Sequence, residues 1–180
     1  SYHYGGKFID ISEKNIEAAR RLKSIKHKFL MNYPEIDVTI NNFDIDLETI
    51  FSDKELNKEI LFEKNFFNDP MYILYSSGTT GKPKCIIHNT GGPLIQHMKE
   101  QQLHCDLKKN DKIFYFTTCG WMMWNWLITA LSSNASILLY DGSPFFPEKD
   151  SLFKIAEEEK LDIFGVSAKY IDALRNFQIS

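Results

Sequence analysis

The sequence predicts an α/β protein with a mixed, largely parallel sheet that carries helices on both faces. After Pro70, short apolar runs alternate with helical patterns, which is typical of parallel strands joined by crossover helices. Residues 76–84 are polar or flexible and join two apolar runs, and this connection is too short for a crossover. It therefore predicts a strand–loop–strand hairpin beside the parallel strands.

Composition narrows the classes of protein and partner. The chain has 180 residues, of which 43% are hydrophobic and 25% charged, and its net charge is -3, so we expect a globular protein without a nucleic-acid partner. No apolar run reaches the roughly 18 residues of a membrane span, so we expect no membrane partner. Three cysteines without an evident signal peptide indicate reduced thiols and a cytoplasmic location.

The first part of the chain, residues 1–69, is predicted to be an N-terminal hairpin, helix and linker. Residues 2–11 alternate around Gly5 and Gly6, which indicates a tight turn. Ser12 is suited to cap a helix, and apolar residues recur at helical spacing from Ile16 to Phe29. A short strand is expected at 37–40. The acidic, Asn-rich stretch that follows reads as a surface linker with short helical pieces.

The second part, residues 70–180, is predicted to be an α/β subdomain. Strands are expected at 71–77, 85–88, 112–118, 136–142 and 162–168, and helices at 91–107, 120–133, 148–159 and 169–177. In the first of these helices the buried side is predicted to carry Leu94, Ile95, Met98 and Leu103. Ser167 is expected to cap the last helix.

The loop from Ser76 to Lys84 is predicted to bind a polyphosphate. Glycine accepts backbone angles that bring N–H groups close to an anion, and hydroxyls add further donors. Lysine supplies charge, and Pro83 stiffens the exit of the loop. A Walker loop is excluded, because Ser76 and Pro83 stand where that motif needs Gly and Ser or Thr. The alternative is an ordinary exposed hairpin tip.

An aromatic stretch and a pair of histidines are further candidates for functional sites. The aromatic stretch that begins at Gly120 is, on composition alone, a buried helix that packs under the sheet. His97 and His104 are seven residues apart and share a helical face, but no metal-binding motif accompanies them. We therefore expect no metal site there, and structural or surface roles for both histidines.

The loop and several later segments carry a family resemblance. YSSGTTGKPK, residues 75–84, resembles the phosphate-loop signature of the adenylate-forming superfamily of acyl-CoA synthetases, luciferases and peptide-synthetase adenylation domains, with Cys85 in place of its final Gly. The segments QHMKEQQLHCDL, FYFTTCGWMMWNW, LLYDGSPF and FGVSAKYIDAL are similar to the acetoacetate–CoA ligase family within it. The resemblance implies that the chain is part of a larger adenylate-forming domain.

The resemblance also implies a reaction and its residues. ATP would convert acetoacetate to an acyl-adenylate with release of pyrophosphate, and coenzyme A would then displace AMP. Lys84 would be the catalytic residue, and Mg²⁺ would bridge the ATP phosphates. The loop would bind these phosphates through Ser76, Ser77, Gly78, Thr79, Thr80, Gly81 and Lys84, and the acyl pocket would be lined by Trp121, Met122, Met123 and Trp124.

The family's adenylate-clamping segment and the C-terminal domain with its catalytic lysine are not found in these residues. We therefore expect the missing C-terminal part of the same polypeptide as a partner, and an isolated chain that is inactive. Two alternatives stay open: a synthetase for acetate or another short carboxylate, and a non-catalytic ATP-binding module.

Overall fold

The computed structural model describes residues 1–31, 45–47, 59, 61–76 and 81–177. The chain divides into two compact units, Ser1–Phe62 and Glu63–Ser180. The predicted functional division at residue 70 stays a prediction. The predicted strand at 37–40 and most of the predicted linker lie outside the described residues.

The first unit begins with the predicted hairpin. Strands β1 (Tyr2–Tyr4) and β2 (Lys7–Ile9) pair in antiparallel fashion. Gly5 and Gly6 join them with φ values of 58° and 74°, a conformation that side chains disfavour. Helix α1 (Ser12–Arg21) follows, and β3 (Phe29–Leu30) pairs in parallel with β4 (Ile45–Asp46).

The predicted first helix is too long at its C-terminal end, and its N-cap is wrong. Helix α1 ends at Arg21 because Leu22 leaves the helical region, with φ -89° and ψ 84°. No residue of α1 is buried, so no packed apolar face extends the helix to Phe29. Ser12 lies in the first turn and makes no cap bond; its N–H donates to the Asp10 carboxylate at 2.9 Å.

The second unit contains the predicted hairpin. Strands β5 (Pro70–Ser76) and β6 (Lys84–Asn89) are antiparallel. Ser76 lies opposite Lys84 and Tyr72 lies opposite His88. Because residues opposite each other share a face and alternate residues repeat it, Ser76, Lys84 and His88 lie on one face of the hairpin. In the described residues β5 and β6 form a sheet of their own, separate from the parallel strands.

The parallel sheet has β7 (Lys112–Tyr115) between β8 (Ser136–Ile137) and β9 (Ile163–Gly165). Its helices are α2 (Gly91–Lys99), α3 (Met122–Thr129), α4 (Ser151–Glu158) and α5 (Ala168–Asn176). A π-helical turn (Glu100–His104) continues α2, and a 3₁₀ turn (Ala130–Ser133) follows α3. The Ser167 hydroxyl caps α5 as predicted, since it accepts a hydrogen bond from the Tyr170 N–H at 3.2 Å.

Both faces of β7 are covered, which confirms the predicted α/β fold. Ile113 is fully buried in a cluster with Trp126 and Leu127 of α3. Its neighbour Phe114 is buried on the opposite face. There it packs in a cluster with Leu152, Tyr170 and Leu174 of α4 and α5. Consecutive strand residues point to opposite faces, so the sheet separates two apolar layers.

The predicted buried face of α2 is wrong. Leu94, Ile95 and Leu103 are exposed, and Met98 is half-buried. The side that faces α3 is polar instead: Gln101 is fully buried, and its Nε2 donates to the Trp126 carbonyl at 2.6 Å. Hydrogen bonds and not apolar packing therefore fix this side of the helix. Within the described ranges, no helix has the length and apolar character of a membrane span.

Candidate active site

The predicted phosphate loop lies between β5 and β6. Ser77, Gly78, Thr79 and Thr80 lie outside the described residues. Ser76 ends β5, and Lys84 begins β6 directly opposite it. Gly81 has φ 147°, and no heavy atom of a described residue lies within 4 Å of a Cβ built there. With respect to the described residues, the backbone of Gly81 is therefore open to an approaching ligand.

Two exposed lysines stand at the described part of this loop. Lys82 and Lys84 are exposed, and neither makes a hydrogen bond or ion pair with any described residue. Elsewhere Lys108, Lys112 and Lys154 are each paired with a carboxylate. Exposed ammonium groups that have no carboxylate partner among the described residues, next to a hydroxyl, suit the binding of a phosphate anion.

A cavity of about 450 Å³ opens beyond the other end of β6. Its walls come from β6, α2 and the start of α3. Met122, Met123 and Trp126 form the apolar wall. This volume matches a small-molecule pocket, and methionine side chains adapt to a short acyl chain.

Other side chains that line the cavity are polar and hydrogen-bonded to one another. The Glu100 carboxylate accepts hydrogen bonds from Gln96 Nε2 at 2.7 Å and from Trp126 Nε1 at 3.1 Å. His97 Nδ1 lies 3.0 Å from Thr129 Oγ1, which ties α2 to α3. These bonds hold the polar side chains in fixed positions beside the cavity.

His97 is kept neutral at pH 7. Burial lowers the pKa of its imidazole, which Glu100 raises and His88 lowers further. The desolvation effect is the largest of the three. The cavity therefore presents a neutral ring that can donate or accept a hydrogen bond.

Strand β6 connects the loop and the cavity. Lys84 and His88 lie on the same face of this strand, four residues and about 13 Å apart. A ligand that is held at its phosphate end by the loop thus has the cavity at the far end of the same strand. In the described part of the chain, no group of three or more His, Cys, Asp or Glu side chains could hold a metal ion.

Of the four residues predicted to line the acyl pocket, two line the cavity and two do not. Met122 and Met123 line the cavity. Trp121 is 65% exposed and Trp124 is half-buried, and neither is among the cavity's lining residues. Trp126 is the tryptophan that lines the cavity instead.

Sequence reasoning missed the polar wall. His88, His97 and Glu100 all line the cavity, and His97 was expected to have only a structural or surface role. The sequence did carry a signal, because the polar residues Gln96, His97 and Glu100 recur at helical spacing. Periodicity directed attention to Leu94 and Ile95 on the other side.

Phe145 belongs to the core of the second unit. Its ring stacks on Tyr170 at 5.0 Å and meets Phe177 edge-on at 5.2 Å. It directly follows the segment Asp141–Pro144. The Phe145 side chain is therefore occupied by packing contacts.

Comparisons with known proteins agree with this arrangement. Acetoacetyl-coenzyme A synthetase of Rhizobium meliloti (strain 1021) is 57% identical over 116 residues, which is 64% of this chain and 18% of that protein. Acetoacetyl-CoA synthetase of Gallus gallus is 40% identical over 177 residues, which is 95% of this chain and 26% of that protein. The solved acetoacetyl-CoA synthetase from Streptomyces lividans superposes with a TM-score of 0.88 at 39% identity and covers 99% of this chain.

The chain spans between 18% and 27% of the length of these relatives. The predicted similarity to acetoacetate–CoA ligases is confirmed by all three. A family model described as AMP-binding enzyme matches residues 13–179. With nearly all of its length matched and the fold shared, the chain belongs to the AMP-binding enzyme family.

Proposed function

We propose that this chain supplies the phosphate loop and part of the acyl pocket of an enzyme that joins acetoacetate to coenzyme A at the expense of ATP. The supporting observation is the shared face of β6, with the exposed Lys84 at its start and the cavity at its end. The similarity to acetoacetyl-CoA synthetases supports the substrate. The products are acetoacetyl-CoA, AMP and pyrophosphate.

In the first half-reaction, a carboxylate oxygen of acetoacetate attacks the α-phosphorus of ATP. The bond between that phosphorus and the bridging oxygen breaks, and the electron pair leaves with pyrophosphate. Lys84, with Ser76 and Gly81 beside it, would neutralise the charge that grows on the leaving phosphates. Ser77, Gly78, Thr79 and Thr80 are proposed to add donors.

In the second half-reaction, the sulfur of coenzyme A attacks the acyl carbon and AMP leaves. We propose that Mg²⁺ enters with the ATP phosphates, because this ion is commonly held by substrate phosphates together with few protein ligands. A cytoplasmic location is proposed on the exposed, unpaired thiols of Cys85, Cys105 and Cys119, which suit a reducing compartment.

The experiment is acid-dependent ATP–pyrophosphate exchange by the full product of the gene that encodes this sequence. Acetoacetate, acetate, propionate and butyrate are compared, with Lys84→Ala beside the wild type. Lys82→Ala is the matched control, since it removes an equally exposed charge from the same loop. We expect the fastest exchange with acetoacetate and a roughly 100-fold loss of kcat in Lys84→Ala, with a smaller loss in Lys82→Ala.

The other outcomes have distinct meanings. Faster exchange with acetate or propionate would keep the chemistry and replace the substrate. Binding of ATP without exchange on any acid would replace the enzyme with a nucleotide-binding module. Equal losses in the two lysine variants would remove the special role of Lys84.

A further inference from the structure

We propose that His97 is a catalytic residue of the second half-reaction, in which its Nε2 takes the proton of the coenzyme A thiol. The inference rests on the proposed function and adds the base that the attack on the acyl-adenylate needs. It follows from the direction of the hydrogen bonds that hold the imidazole ring beside the cavity.

The tautomer of His97 is fixed by Thr129. The Thr129 hydroxyl donates its one proton to the Asn125 carbonyl at 2.9 Å, so its oxygen is left to accept a hydrogen bond. His97 Nδ1 lies 3.0 Å from this oxygen, and the ring proton therefore stays on Nδ1. The neutral ring then has its lone pair on Nε2, the arrangement of a general base that is held through its other nitrogen.

This lone pair is available at pH 7. Burial lowers the pKa of the His97 imidazole, the Glu100 carboxylate opposes this effect, and His88 on β6 lowers the pKa further. The neighbouring helix α3 contributes no charge, because Met122–Thr129 contains no titratable residue. The ring is therefore neutral before the reaction, and Glu100 stabilises the positive charge that appears when Nε2 takes a proton.

The other polar side chains of the cavity are less suited to act as the base. Both oxygens of Glu100 already accept hydrogen bonds, from Gln96 Nε2 at 2.7 Å and from Trp126 Nε1 at 3.1 Å. His88 also lines the cavity, but no hydrogen bond to a described residue holds its ring. His97 combines a ring that is oriented in advance with a nitrogen that can accept a proton, and such preorganisation favours catalysis.

An acceptor beside the acyl group needs a donor, and the reacting groups offer one. The carboxylate and ketone of acetoacetate and the phosphates of ATP only accept hydrogen bonds. The thiol of coenzyme A carries a proton, which must leave because the thiolate is the nucleophile. Met122 on the cavity is 49% exposed, so the cavity is open and a second reactant can enter beside the acyl group.

The step transfers one proton and exchanges one bond at the acyl carbon. The S–H bond breaks as its proton passes to Nε2, and the sulfur forms a bond to the acyl carbon. The bond between this carbon and the phosphate oxygen of the adenylate breaks, and its electron pair leaves with AMP. The imidazolium then releases its proton to water at the open side of the cavity, which restores the neutral ring.

The test separates the two half-reactions in the full gene product. Acetoacetate-dependent pyrophosphate exchange reports the first. For the second, enzyme preloaded with acetoacetate and ATP, with pyrophosphatase present, is mixed with coenzyme A, and thioester formation is followed in a single turnover. The variant is His97→Asn, whose amide N–H can donate to Thr129 Oγ1 in place of Nδ1–H but which has no base at the position of Nε2. The matched control is His104→Asn, at an exposed histidine on the π-helical turn after α2.

We expect thioester formation to slow about 10- to 100-fold in His97→Asn at pH 7, while exchange stays within about twofold of the wild type. A thiol with a pKa of about 8.5 ionises unaided at higher pH, so the loss should shrink to a few-fold at about pH 9. His104→Asn should match the wild type in both assays.

A second pair of variants keeps the test open if His97→Asn does not fold. Thr129→Val removes the acceptor of Nδ1–H with a side chain of similar shape, and it should slow thioester formation without slowing exchange. Thr129→Ser keeps the hydroxyl and should keep the wild-type rate.

An unchanged single-turnover rate in His97→Asn would overturn the inference. Equal losses in exchange and in thioester formation would also overturn it, because they would assign His97 to the fold or to nucleotide binding. A loss of the same size at pH 7 and pH 9 would rule out proton transfer by Nε2. Wild-type exchange that is absent with every acid would be the separate failure, that of the proposed function, and the inference would fall with it.

Discussion

At the scale of single residues, the environment of His97 makes stability depend on pH. Burial lowers the pKa of His97 in the folded chain below its value of 6.5 when exposed. At a pH between these two pKa values, unfolding takes up a proton. The contribution of the neutral His97 to the free energy of unfolding is therefore complete above about pH 6.5 and is lost as the pH falls. We expect the urea midpoint of the 180-residue chain to fall between pH 7.5 and pH 5.5 by less in His97→Asn than in the wild type.

His104→Asn is the control for that measurement, because His104 is exposed and should leave the wild-type slope intact. Identical slopes in the wild type and His97→Asn would show that other groups carry the effect.

The chemistry of single residues was only partly predictable from the sequence. The sequence indicated Lys84 through a contiguous motif. It did not indicate the contact between His97 and Thr129, because these residues are 32 positions apart and local patterns do not report such a contact.

At the scale of elements, the parallel strands are set by one close approach. A Cβ on Gly165 in β9 would come within 2.3 Å of the Tyr115 ring on β7, and that ring already packs edge-on against Trp126. We expect Gly165→Ala to destabilise the chain by about 1–3 kcal/mol and to lower the Tm by several degrees in calorimetry. Gly120→Ala is the matched control, because nothing lies within 4 Å of its Cβ. A loss in Gly165→Ala no larger than in Gly120→Ala would contradict this account.

Element types were predictable where local and tertiary preferences agree. The strands of the parallel sheet are short apolar runs, and both faces of β7 are buried, so periodicity and packing gave the same answer. The first helix and the face of α2 failed for the opposite reason. Apolar spacing extended α1 to Phe29, and it placed Ile95 inside. In the structure no residue of α1 is buried and Ile95 is exposed, so burial does not support either pattern.

At the scale of the whole molecule, the antiparallel hairpin leaves one apolar face in contact with water. Ile73, Tyr75 and Ile87 share this face, and they are 59%, 67% and 63% exposed. Such a face is a site for association between chains. We expect the isolated 180-residue chain to self-associate with rising concentration in sedimentation velocity, and Ile73→Thr to reduce this association.

The control for this effect is Ile171→Thr on α5, which removes an apolar side chain of similar exposure, 55%, from another surface. It should leave the association unchanged, and equal behaviour of the two variants would assign the association to some other surface.

The isolated 180-residue chain should form no acetoacetyl-CoA, because it spans only 18% to 27% of its relatives' length. Thioester formation by the monomeric fraction of the isolated chain would show that these residues suffice for both half-reactions. The prediction that the reaction needs further residues of the polypeptide would then be wrong.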